Sequence, residues 1–275
     1  MVSRRLVVLV VVGLVALAPL AGLGLLLFPP DSFYDHYSSY SYTTSVSTNE
    51  TVENVTLLLP FPAGEDVGTD FESDLWIYDD NGTRITDWET AVVETERGPM
   101  LRLHTDRLEG RDRYVLWTYT DNGSVRSREE IGPDELPEDM TDRELVPDPT
   151  TYSISWQVTV DRDIETRYPV GNGTVLAPVD DVRETDCERP GTEDDRCSQF
   201  TSVVRASYES AGPATVTIGG IRFDGSNEWG FWLSNNFNAF EAETTPATYT
   251  GGRQGWTVVD GDLHAGMGRY DGPRR

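Results

Sequence analysis

Residues 152–160 read YSISWQVTV, and the strict alternation of that stretch decides the fold. Tyr152, Ile154, Trp156, Val158 and Val160 fall on one side of an extended chain, while Ser153, Ser155, Gln157 and Thr159 fall on the other. That is a strand with one face in a core and one in water. Tyr40 to Thr48 ("YSYTTSVST") repeats the pattern with a less apolar inner face. Further strands are expected at 55–59, 75–78, 84–94, 100–104, 114–119, 202–208, 215–223, 231–233 and 256–259. Asn81-Gly82, Asn122-Gly123 and Asn172-Gly173 tolerate positive φ at both centres of a tight hairpin turn. Gly98-Pro99 and Gly212-Pro213 mark further turns. Short strands, turn dipeptides and no helical period beyond residue 28 predict an all-β chain of one or two antiparallel β-sandwich domains.

A single N-terminal transmembrane helix is expected ahead of those domains. Leu6 to Phe28 is 23 residues without a charge, and a helix of that length reaches roughly 35 Å, enough for a hydrocarbon core of about 30 Å. Arg4 and Arg5 precede it, and the next basic residue is Arg84, so residues 1–5 are placed in the cytoplasm and the body outside. The rival reading is a cleaved signal peptide, since Ala16-Leu17-Ala18 is an A-x-A sequence. Cleavage there would begin the mature chain at Pro19 and expose the apolar run 20–28 to water. Ser3, Arg4 and Arg5 also match part of a twin-arginine export signal. Pro29 and Pro30 end the span, and residues 29–38 form a juxtamembrane segment whose Phe33, Tyr34 and Tyr37 suit the headgroup layer.

The acid- and proline-dense run 129–150 ("EEIGPDELPEDMTDRELVPDPT") makes a poor central strand. It reads as a linker between a β-sandwich domain at 39–128 and a second at 151–275, with a long acidic loop inside one larger sandwich as the alternative. Seven Trp, nine Phe and twelve Tyr supply the burial that a disordered chain lacks.

Formal net charge is −25, and all 22 basic residues are arginine. Such a body repels phosphate backbones, which argues against nucleic-acid binding. At 1 M salt the screening length falls to about 3 Å and the self-repulsion is quenched. An acidic, lysine-free exterior behind an arginine-preceded apolar segment resembles, in composition, the membrane-anchored exported proteins of extremely halophilic archaea. That resemblance implies a cell-membrane protein facing outward in brine, with no family motif to specify a task.

Cys187 and Cys197 enclose nine residues, and two cysteines in an exported chain are expected to pair. Asn49, Asn54, Asn81, Asn122 and Asn172 each begin an N-x-[ST] sequon and are glycosylation candidates. Three of these also lie in Asn-Gly turns, which create sequons without any sugar. In "EWGFWLSNNFNAF", Trp229, Phe231 and Trp232 stand among asparagines, as a core strand with a polar turn or as a ligand face for a glycan. Asp260, Asp262 and His264 alternate in "DGDLHAGMG" and are weak metal candidates, more simply read as a solvated turn.

None of the three histidines has a partner visible in the sequence, and no G-x-S-x-G, H-E-x-x-H or P-loop pattern occurs. No cofactor is implied. The expected function is an anchored, non-catalytic protein with a structural or interaction role at the envelope, partnered by the bilayer through residues 6–28. A glycan- or envelope-partner-binding module is the alternative. An extracellular hydrolase working through paired carboxylates is the third.

Overall fold

A computed structural model of the protein describes residues 34–62, 75–170, 176–177, 180–188, 191–231, 234–252 and 255–270. The chain first forms β1 (Tyr34–Thr48), β2 (Val52–Leu59), β3 (Phe61–Pro62), β4 (Trp76–Tyr78), β5 (Arg84–Ile85), β6 (Glu89–Thr95), β7 (Gly98–Leu108), β8 (Tyr114–Tyr119), β9 (Val125–Ile131) and β10 (Arg143–Pro147). It continues as β11 (Thr150–Val160), β12 (Leu176–Ala177), β13 (Asp180–Thr185), β14 (Arg196–Glu209), β15 (Thr215–Ile218), β16 (Arg222–Phe231), β17 (Ser234–Thr244), β18 (Ala247–Thr250) and β19 (Gly255–Gly268). The described residues contain no α-helix. None of their helices is long and apolar enough to cross a membrane; the expected anchor at 6–28 lies outside them.

Fourteen strands make one antiparallel sheet, ordered β5-β4-β11-β1-β16-β17-β19-β14-β2-β7-β6, with β13 on β14 and the β15-β18 pair on β1. Period-two alternation gives this sheet one apolar face, and the sheet curls to enclose that face in a sandwich-like core. Tyr42, Trp156, Phe223, Phe240, Leu57 and Leu103, drawn from strands across its whole width, belong to one buried cluster. Two tyrosines bridge the curl through their hydroxyls: Tyr42 Oη donates to Pro60 O at 3.0 Å, and Tyr152 Oη to Glu109 O at 3.0 Å.

Two glycines let aromatic rings lie flat against a neighbouring strand. Gly225 is directly opposite Phe240, and Gly261 directly opposite Phe200. A Cβ at Gly225 would stand 2.9 Å from Phe240 Cζ and 3.1 Å from Ile164 Cγ2, and one at Gly261 would stand 2.8 Å from Phe200 Cε1. Both rings are buried.

The pairing corrects the division at 129–150. β1 pairs with β11 and β16, while β2 pairs with β14, so strands from both sides of the run share one sheet. The run itself is not a free linker. It holds the end of β9, a 3₁₀ turn at Pro133–Glu135 and β10, which edges a three-stranded sheet in the order β10-β8-β9. An edge strand tolerates Pro147 because one side of it makes no ladder. Other boundaries move as well. Residues 34–38, read as juxtamembrane, already belong to β1, and 84–94 is interrupted between β5 and β6. Likewise 215–223 breaks at Gly219-Gly220 into β15 and β16; Phe231 ends β16, and 232–233 lie outside the described residues.

Candidate functional site

At the end of the sheet where β1 begins, the inner face turns from apolar to polar. His36 is opposite Trp229 and Ser38 opposite Asn227, and Asn227 is in turn opposite Asn238 on β17. After β11 the chain crosses this end as a strap, residues 161–168. Ile164 of the strap is buried on Gly225 beside the Phe240 ring. Its backbone is caught by one amide: Asn227 Oδ1 accepts from Ile164 N at 2.7 Å, and Asn227 Nδ2 donates to Ile164 O at 2.8 Å and to Asn238 Oδ1 at 2.7 Å. The Thr166 hydroxyl donates to Asn238 Oδ1 at 2.7 Å and lies 3.0 Å from the Tyr270 hydroxyl, while Gly266 N donates to Thr166 O at 2.8 Å. The Asn227 and Asn238 amides and the Thr166 hydroxyl are therefore all partnered, as burial requires.

Between strap and strand ends lies a cavity of about 340 Å³, lined by His36, Asp163, Arg167, Tyr168, Trp229 and Tyr270 among others. His36 Nε2 is 3.2 Å from Asp163 Oδ1, and that carboxylate is half exposed. Tyr168 stands at the mouth, 51% exposed, with its hydroxyl accepting from Arg196 at 2.8 Å and the guanidinium 4.5 Å from its ring centre. Arg167 stacks 4.2 Å over the Tyr270 ring and meets Asp194 at 2.8 Å. Burial pushes the Tyr270 hydroxyl above its ordinary pKa, so it stays protonated and able to donate at neutral pH.

Of the ligand-face residues expected from the sequence, Trp229 is 6% exposed and forms cavity wall rather than an open platform. Phe231 is the last residue of β16, and Trp232 lies outside the described residues. Asp260, Asp262 and His264 are not in a turn: they alternate along β19 against inward Val259, Gly261 and Leu263. Asp260 and Asp262 are exposed, whereas His264 Nε2 sits 3.2 Å from Asp195 Oδ2. Asp195 also accepts from Gly191 N and Thr192 Oγ1, each at 2.6 Å. Its burial acts to raise its pKa, but these donors outweigh that and hold the carboxyl below its ordinary value.

Cys187 and Cys197 form the expected disulfide. Their sulfurs and a His264 ring nitrogen lie within 4.8 Å of one another, but the disulfide leaves no thiolate for a metal. Beside them, Glu241 and Glu243 of β17 stand opposite His264 and Asp262. Asp224 is opposite Glu241, and Arg222 reaches both at 3.1 and 2.9 Å. Burial raises the pKa of Asp224 and of Glu241 despite that arginine.

The sequons separate by environment. Asn54, Asn81 and Asn122 are exposed, and Asn172 lies outside the described residues. Asn49 Oδ1 accepts from Thr215 N at 2.7 Å.

Histidines expected to lack partners all have them: His36 with Asp163, His264 with Asp195, and His104 with the Thr56 hydroxyl at 3.1 Å. Sequence reasoning also passed over Asp163, Tyr168, Asn227, Asn238 and Tyr270. Asn227 was findable, because alternation puts it on the same face as Trp229. The others come together only through the crossing of the strap. Comparison of the chain with protein-family models, curated proteins and solved structures returns no match.

Proposed function

We propose that this is a non-catalytic protein tethered to the outer face of a cell membrane, where it works by association with other envelope components. The observation that carries the association is a neutral face on a chain of net charge −25. Alternate residues from Ser39 to Ser47 on β1, and from Thr151 to Thr159 on the adjoining β11, are all Ser, Thr or Gln and turn away from the core. A second acidic envelope protein approaches there without like-charge repulsion.

The tether rests on proximity. Only residues 29–33 separate the apolar run from β1, so the start of the sheet stays within about 20 Å of residue 28. Chemistry available to the chain supports a non-catalytic role: it has no lysine, both cysteines are bonded to each other, and Glu165 is occupied by the N–H groups of Arg167 and Tyr168 at 2.9 Å.

Two measurements test this reading. Full-length protein in its native envelope should stay with membranes through an alkaline wash and carry an unprocessed N-terminus; a soluble product beginning at Pro19 refutes the tether. A photo-crosslinking residue at Ser153 should give discrete adducts that one at Asp262 does not. Absence of adducts at Ser153 refutes association through the neutral face.

A further inference from the structure

We propose that the cavity beneath the 161–168 strap binds a single neutral sugar ring. Its chemistry narrows the ligand class by elimination. Asp163 and Glu165 outnumber Arg167, which already meets Asp194, so a phosphate or carboxylate would face uncompensated negative charge. A cation meets like charge, since the Arg196 and Arg167 guanidiniums each cover one face of a cavity tyrosine, 4.5 and 4.2 Å from the Tyr168 and Tyr270 ring centres. What remains is a neutral molecule with an apolar side and several hydroxyls. A pyranose has that form: its C–H face lies on an aromatic wall while its hydroxyls donate to a carboxylate and exchange hydrogen bonds with an imidazole.

Here the half-exposed ring of Tyr168 and the wall of Trp229 supply the apolar side, and the Asp163 carboxylate with His36 supplies the polar one. A volume of about 340 Å³ is near the small end of ligand pockets, which run from about 300 to 1,000 Å³, and so admits one ring rather than a buried chain. The latch of Asn227 and Asn238 is satisfied internally and holds the strap in place without the ligand, which keeps the site preorganised. His36 lies three residues into the chain described from Tyr34, at the end of the sheet next to residues 29–33. The sugar is therefore either a free glycan unit or the headgroup of a glycolipid standing in the adjacent bilayer.

The test uses the full chain in nanodiscs at molar salt. Hydrogen exchange of the strap amides is followed in the wild-type protein while methyl glycosides of glucose, galactose, mannose and N-acetylglucosamine are titrated. The same sugars are then offered as glycolipid headgroups in the disc. Saturable protection of residues 161–168 by a methyl glycoside supports the site and a free-sugar source, and protection by the glycolipid alone supports the site and the headgroup source. No protection in either arm, or protection by methyl phosphate or tetramethylammonium instead, overturns the proposal. Asp163→Asn and Tyr168→Ala, each with unchanged near-UV circular dichroism, should weaken sugar binding by about tenfold, the loss expected for one charged hydrogen bond or one stacking face. Unchanged affinity in both variants also overturns it. The methyl-glycoside arm concerns the body of the protein and stands apart from the fate of residues 6–28, whereas the glycolipid arm rests on the tether proposed above.

Discussion

Replacing Gly225 by alanine should loosen both the core and the strap with a single methyl group. Gly225 faces Phe240 across the β16–β17 ladder, and the added Cβ would meet the ring at Cζ (2.9 Å) and Ile164 at Cγ2 (3.1 Å). Phe240 has little room to retreat: it is fully buried, its ring 5.5 Å from that of Phe223, which in turn stacks 5.5 Å from Tyr40. Overpacking of this kind costs about 1–3 kcal/mol. For a domain of 150–250 residues each 1 kcal/mol moves Tm by roughly 2–4 °C, so a fall of about 2–12 °C is expected at fixed molar salt, read by thermal circular dichroism. Gly132→Ala is the control, because its Cβ would meet only Glu135 Oε2 at 3.8 Å. Shrinking the partner should relieve the clash, so Gly225→Ala with Phe240→Leu should be more stable than the sum of the two single losses. The same substitution pushes on Ile164, and strap amides should exchange faster in Gly225→Ala than in wild type. An unchanged Tm, or strict additivity with Phe240→Leu, would refute the ring-over-glycine packing.

Removing the disulfide with Cys187→Ser and Cys197→Ser, ten residues apart, should cost about 3 kcal/mol on a chain-entropy estimate, measured as a lowered Tm; an unchanged Tm contradicts it. Dialysis to about 0.1 M salt, where screening extends to roughly 10 Å, should unfold the protein, and intact near-UV circular dichroism there counts against a salt-dependent fold. Peptide masses of native material should show sugar on one or more of the exposed Asn54, Asn81 and Asn122. All three found unmodified counts against glycosylation of the described body. At high pH the buried tyrosines set the limit: burial pushes Tyr40 up to about 12 and Tyr42 higher still. Both hydroxyls favour the fold in full below the unfolded value near 10, and that contribution is lost as pH rises through the folded values. Denaturant midpoints should therefore fall steeply above about pH 10 in wild type and less steeply in Tyr40→Phe.

Which parts of this architecture the sequence disclosed follows from the range of the interactions involved. Alternation is local, so the faces of β11 and of much of β1 could be read directly from Tyr152–Val160 and Tyr40–Thr48, and the all-β class with them. Strand partnership is not local. Nothing near residue 43 indicates that Thr43 will face Ser155 on one side and Arg222 on the other, and that omission is what made 129–150 look like a linker. The aspartates of β19 misled for a related reason. "DGDLHAGMG" carries three glycines, Gly261, Gly266 and Gly268, within nine residues, which locally reads as a turn. Only the presence of Phe200 on β14 explains why Gly261 is a core position in a long strand. At the cavity the two cases meet. Asn227 and Trp229 share a face by simple parity, but a buried amide has no reason to exist until a backbone needs it. The strap supplies that need: its N–H and C=O at Ile164 leave the sheet with no ladder partner, and one asparagine side chain satisfies both. Asn227→Leu would keep the apolar volume and orphan two backbone groups, a loss of about 1–3 kcal/mol for each, so the asparagine beside the cavity is first a requirement of the fold.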